Sequence, residues 1–90
     1  MNFLHYDVWP QSGDVVQVSL SGNAANVLLM DESNFQNYKA GRQFQYYGGY
    51  FTQSPVIIKV PSAGHWKVVV DLGGRAGHVN AAVAVIRGRF

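Results

Sequence analysis

Ninety residues, with hydrophobic side chains at 48% and charged ones at 13%, are enough for one packed core and no second one. That charged share is about half the usual, which excludes a disordered chain. The seven basic residues behind the net charge of +2 are scattered, which argues against nucleic acid as a partner, and the lack of cysteine excludes a disulfide framework and thiol catalysis.

The chain opens on Met1-Asn2-Phe3-Leu4-His5-Tyr6-Asp7, which has no basic stretch ahead of an apolar one, so no secretory signal is expected and the cytoplasm is the expected compartment. The apolar runs are far shorter than a bilayer crossing, so no membrane partner is expected. Phe3 to Val8 is the first expected strand. From Asp14 to Leu20, Val16, Val18 and Leu20 alternate with Gln17 and Ser19, the period of a strand with one buried face. Ser21-Gly22-Asn23 has turn chemistry, and Ala25 to Met30 is apolar without alternation, as in a central strand covered on both faces.

Asp31 or Ser33 can cap a helix, Phe35 and Tyr38 share one helical face, and Gly41 suits the position just past a helix end; one short helical turn is expected near 33–40. Gln43 to Tyr47 alternates again and predicts a strand with Phe44 and Tyr46 buried, interrupted by Gly48-Gly49 as a bulge or turn. Pro55 to Val60 reads as an edge strand because proline cannot donate to a ladder. Trp66 to Leu72 follows after the loop Pro61-Ser62-Ala63-Gly64, and the two strands predict a hairpin with Ile58 opposite Val68 and Lys59 opposite Lys67, or a register slipped by two. Gly73-Gly74-Arg75-Ala76-Gly77 is a turn, and the small apolar residues of Val79 to Ile86 predict a packed inner strand. Residues 1–90 thus predict a single all-β domain, an antiparallel, jelly-roll-like β-sandwich of seven or eight short strands.

These residues resemble the bacterial family called domain of unknown function 1883. The resemblance runs through Asn2-Phe3-Leu4-His5-Tyr6, Ser21-Gly22-Asn23-Ala24-Ala25-Asn26-Val27, Tyr46-Tyr47-Gly48-Gly49, Ser54-Pro55-Val56 and Gly64-His65-Trp66-Lys67-Val68-Val69-Val70-Asp71-Leu72-Gly73-Gly74. It implies a small β-sandwich-like domain, sometimes joined to TIR domains in longer proteins, with no settled activity and no catalytic residues to carry over. Val27 to Gly41, a strand ending in Asp followed by an aromatic turn and a glycine, is more loosely similar to jelly-roll modules of the pre-peptidase and GOLD type, which implies accessory binding.

Candidate chemistry concentrates in Tyr46-Tyr47-Gly48-Gly49-Tyr50-Phe51. Aromatic faces beside amides suit stacking on a sugar, and Tyr47, Tyr50, Gln45 and Asn37 are the candidate ligand contacts, with Tyr47 and Tyr50 expected to be partly exposed. The competing reading is core packing around a bulge. Lys59, Lys67 and Arg75 are candidates for a basic rim. If Lys59 and Lys67 oppose one another, their repulsion costs up to about 1 kcal/mol unless an anion or acid relieves it; the competing reading is that these lysines guard an edge. Arg87-Gly88-Arg89 either joins that rim or is a solvated tail. His65 and His78, each at a strand start, are the one histidine pair that folding could bring together, while Asp31-Glu32 reads as a helix cap and not as metal ligands. No metal or cofactor is expected. The glycine groups lack the Lys-Ser/Thr and following helix of a phosphate loop, and no nucleophile motif is present. The expected function is a non-catalytic binding or protein-interaction module, with a homo-oligomer or protein partner possible. Carbohydrate or small polar ligand binding is the alternative, and a hydrolase or metal enzyme is less favoured.

Overall fold

The computed structural model describes residues 3–88. Seven strands, β1 (Phe3–Val8), β2 (Val15–Gly22), β3 (Ala25–Asp31), β4 (Tyr47–Phe51), β5 (Val56–Lys59), β6 (Trp66–Asp71) and β7 (Val79–Ile86), accompany one helix, α1 (Glu32–Lys39). The strands form two antiparallel sheets, ordered β1-β6-β3-β4 and β5-β2-β7. This is the sandwich that the alternating strands predict.

The main core lies between the sheets, where Val16 and Val18 of β2 meet Val27 and Leu29 of β3 and Val68 and Val70 of β6. A second core lies beneath the helix, where Phe35 and Tyr38 cover Leu28, Met30 and Val69. Strands β3 and β6 are interior to their sheet and buried on both faces, which is why β3 shows no alternation. The helix starts where expected: the Asp31 carboxylate accepts from the Asn34 N–H at 2.8 Å, and past its end Gly41 takes the left-handed conformation at φ +74°.

Three expectations about strands need correction. The segments flanking Pro61 to Gly64 are not a hairpin. β5 pairs with β2 and sets Ile58 against Val16, whereas β6 pairs with β1 and β3, so the connection crosses from one sheet to the other. Its Gly64 N–H is held by the Pro10 carbonyl at 3.2 Å. Residues 43–46 are not a strand, and Gly48-Gly49 lie inside β4 opposite Leu28 and Val27 without ending it. β7 is an edge strand with alternating half-buried and exposed residues, because only β2 pairs with it and small side chains are tolerated there without full burial. The edge position of β5 and the interior position of β3 agree with the sequence reading.

The chain's end is not a solvated tail as far as Gly88. Asp14, buried just before β2, accepts from the Gln11 N–H at 2.8 Å, the Gly88 N–H at 2.9 Å and the Arg87 guanidinium at 2.8 Å. Arg89 lies outside the described residues. The backbone donors of Gln11 and Gly88, with Arg87, hold the Asp14 carboxyl below the usual carboxylate range. A depressed folded value means that this stability is present above the unfolded pKa and is lost as pH falls through the folded one. The contribution of Asp14 is therefore constant near neutrality, and the melting temperature is expected to fall below about pH 4, the ordinary aspartate value. Asp14→Asn should be less stable near neutrality and should show a shallower acid limb. An acid limb identical to that of the unchanged protein would remove Asp14 from this account.

Candidate functional site

After Gly41 the chain has no regular structure until Tyr47, and a short relay of polar groups holds it in place. Asp31 Oδ1, besides capping α1, accepts from Asn34 Nδ2 at 2.9 Å. That bond orients Asn34 so that its Oδ1 accepts from the Gln45 backbone N–H at 2.7 Å. The donor that a strand would have used at Gln45 is thus bound to the helix, and β4 begins two residues later. On either side of Gln45 the rings of Phe44 and Tyr46 stay in contact, 5.6 Å between centroids and tilted by 40°, but they differ in exposure. Phe44 turns under the helix, edge-on to Tyr38 at 5.2 Å between centroids, while Tyr46 faces outward.

Between these groups and the start of β6 lies an open groove of about 450 Å³, lined by Met30, Asp31, Asn34, Phe44, Gln45, Tyr46, Tyr47 and Trp66. Tyr46 is 47% and Tyr47 49% exposed, so about half of each side chain is open to solvent. Tyr47 meets Trp66 edge-on at 6.1 Å, and the indole is fixed by its Nε1–H donating to the Ser62 carbonyl at 2.9 Å. Asp31 is the one ionisable carboxylate in the lining and it is engaged by Asn34; no cation lines the groove. Aromatic faces and amides without free charge suit a neutral polar ring better than an anion or a cation.

A family model described as Domain of unknown function (DUF1883) matches residues 1–89. The chain belongs to that family. No curated protein and no solved structure matches the chain. The family description carries no activity, so the site has to be read from its own residues.

Of the four residues expected to contact a ligand, Tyr47 and Gln45 line the groove and Tyr50 and Asn37 do not. Tyr50 is as exposed as expected, but its hydroxyl accepts from Arg75 at 2.8 Å and the guanidinium lies 4.7 Å from its ring. Asn37 sits on the helix and accepts from Arg42 Nε at 3.3 Å. Tyr46 was expected to be buried and is a wall of the groove, and Phe44 is half-buried; with no strand through 43–46, the period-two phase that placed both inside does not apply. Trp66 and Asn34 were missed. Asn34 is three residues after its cap, a spacing visible in sequence, but its second bond to Gln45 joins residues eleven apart.

The three basic residues do not form a rim. Lys59 is exposed on β5 opposite Val15, Arg75 lies on Tyr50, and Lys67 is buried beneath the helix, on the β6 face that looks polar in sequence. Lys67 is matched there by Asp7 at 2.6 Å and by Glu32 at 3.7 Å, with its ammonium 4.8 Å from the Phe35 ring. Lys67, and secondarily His65 at 2.7 Å, hold the Asp7 carboxyl below its usual range. His65 also stacks on Trp9 at 5.0 Å. His78 lies at the other end of β6, beside Phe3, Leu4 and Leu72, so the two histidines do not meet. Among the described residues, no three His, Asp or Glu side chains form a group able to hold a metal. No helix among them is long and apolar enough to cross a membrane.

Proposed function

We propose that this domain is a non-catalytic binding module whose groove takes a neutral saccharide or a similarly flat polar ring. The carrying observation is the pair of half-exposed rings, Tyr46 and Tyr47, set beside Gln45 on a backbone anchored to the helix through Asn34. A sugar ring offers an apolar face of C–H groups to an aromatic ring and hydroxyls to an amide. A rigid backbone lowers the ordering cost of binding. The absence of a free ionised side chain in the lining favours binding over acid–base chemistry.

A glycan array followed by titration calorimetry tests this reading. Tyr46→Ala and Tyr47→Ala are each expected to weaken the best ligand about fivefold to tenfold, each ring contributing about 1 kcal/mol or somewhat above it. Tyr50→Ala, on the same strand as Tyr47 but outside the groove, should leave affinity unchanged. No binding on the array, or equal losses from all three substitutions, would sink the proposal.

A further inference from the structure

Each sheet has two edges, and the four edge strands differ in how they are protected. β1 carries His5 and Asp7 and is followed by Pro10. β4 is short and contains Gly48 at φ +124°. β5 has four residues, follows Pro55 and ends on Lys59. β7 has eight residues, Val79–Ile86, with no charge, no proline and no glycine. A long neutral edge of this kind is a template for another strand.

The free backbone groups on β7 can be assigned. The Asn23 N–H donates to the His78 carbonyl at 2.8 Å, just beyond the Gly22–Val79 pair, so His78 and the even-numbered residues after it point their backbone groups at β2. Val79, Ala81, Val83 and Val85 therefore point theirs away from it. The Ala81 carbonyl accepts from the Tyr6 hydroxyl at 3.3 Å, which agrees with that phase and occupies that position. Val79, Val83 and Val85 remain, and no strand among the described residues pairs with them on that side; Val83 and Val85 lie together beyond Ala81, at the end of the strand.

We propose that β7 is a homodimerisation edge: it pairs antiparallel with β7 of a second copy about a two-fold axis at Ala84, joining the two three-stranded sheets into one continuous sheet. In this register Val83 and the partner's Val85 exchange both backbone hydrogen bonds, and Val85 does the same with the partner's Val83. Ala84 faces its own copy at a closely spaced position, where a methyl group fits. Ala82 lies opposite the partner's Ile86, a side chain 44% exposed in the single chain, so small meets large. The occupant is a second copy because the strand is neutral throughout and self-complementary, with no charge to repel itself across a two-fold axis. The nearest charge, Arg87, is drawn to Asp14 of its own chain. This surface belongs to the sheet opposite the groove strands and does not depend on ligand binding.

Sedimentation velocity over a concentration series, with circular dichroism to confirm folding, tests the assignment. A strand-edge contact is small beside the roughly 1,600 Å² of a standard interface, so a concentration-dependent dimer is expected. Ala84→Lys and Ala84→Glu place like charges face to face on an exposed position and should each give a folded monomer, whereas an equimolar mixture of the two should recover the dimer. Val83→Pro should also give a monomer, since the N–H it removes is not bonded to β2. A wild-type chain that stays monomeric up to about 1 mM, or a dimer that persists in Ala84→Lys, overturns the proposal. Tyr46→Ala leaves the dimer intact on this account, which separates its fate from that of the groove.

Discussion

Asp71→Ala is expected to destabilise the fold by about 3–5 kcal/mol, because three donors to one charged acceptor, each worth about 1.5–3 kcal/mol and not fully additive, lose their partner together. Asp71 is 5% exposed, and its carboxylate accepts from the Tyr38 hydroxyl at 2.5 Å, Asn26 Nδ2 at 2.7 Å and the Gly73 N–H at 2.9 Å. These bonds tie the helix, β3 and the turn after β6 to one buried group. For a chain of this length the loss corresponds to a fall in melting temperature of about 15–30 °C. Tyr38→Phe keeps the ring packed beneath the helix and should cost less, about 1–3 kcal/mol. The double variant should cost less than the sum of the two. Burial, and then the Asp71 carboxylate, push the Tyr38 hydroxyl well above its usual pKa. Its stabilising contribution is thus complete below about pH 10, the ordinary tyrosine value, and declines above it; Tyr38→Phe should remove that alkaline limb. Chemical denaturation of the three variants is the measurement. A cost for Asp71→Ala below about 1 kcal/mol, or strict additivity with Tyr38→Phe, would show that the carboxylate does not organise this core.

What the sequence made legible follows from how local each signal is. Alternation at Val16, Val18 and Leu20 reports a buried face, the apolar run Val27 to Met30 within β3 reports two, and Asp31 and Gly41 bracket a helix through bonds within a few residues. None of these signals says which strand lies next to which. The loop from Pro61 to Gly64 has the length of a hairpin turn, yet β5 and β6 belong to different sheets, since pairing depends on the whole arrangement of buried faces. The same ambiguity misplaced Lys67. On β6 it alternates with Trp66 and Val68 as an exposed residue would, but that face is roofed by the helix and its charge is met by Asp7, sixty residues earlier. In the groove the aromatic cluster was visible and its phase was not. One bond from Asn34 to the Gln45 backbone delays the strand and turns Tyr46 outward.

The neighbouring glycines of β4 should respond in opposite ways to the same substitution. A Cβ on Gly48 would stand 2.1 Å from the Val27 carbonyl oxygen and 3.3 Å from Ile58 Cδ1, on a residue held at φ +124°. The first contact is with the backbone of the adjacent strand, so it cannot be relieved by a side-chain rotation, and the positive φ is itself strained for any L side chain. Gly48→Ala is expected to cost about 3 kcal/mol or more, combining about 1–3 kcal/mol of backbone strain with displacement of β4 from β3. Gly49 has no positive φ and open space where its Cβ would go. Gly49→Ala should be neutral or stabilising by up to about 1 kcal/mol, since alanine restricts the unfolded chain more than glycine does. Thermal melts of both variants decide the matter, and a Gly48→Ala protein within about 0.5 kcal/mol of the unchanged chain would contradict the close approach of the two strands. Tyr46 and Tyr47 immediately precede Gly48. A folded Gly48→Ala protein should therefore also lose affinity for the groove's ligand while Gly49→Ala retains it, which ties the stability of this edge to the presentation of the two rings.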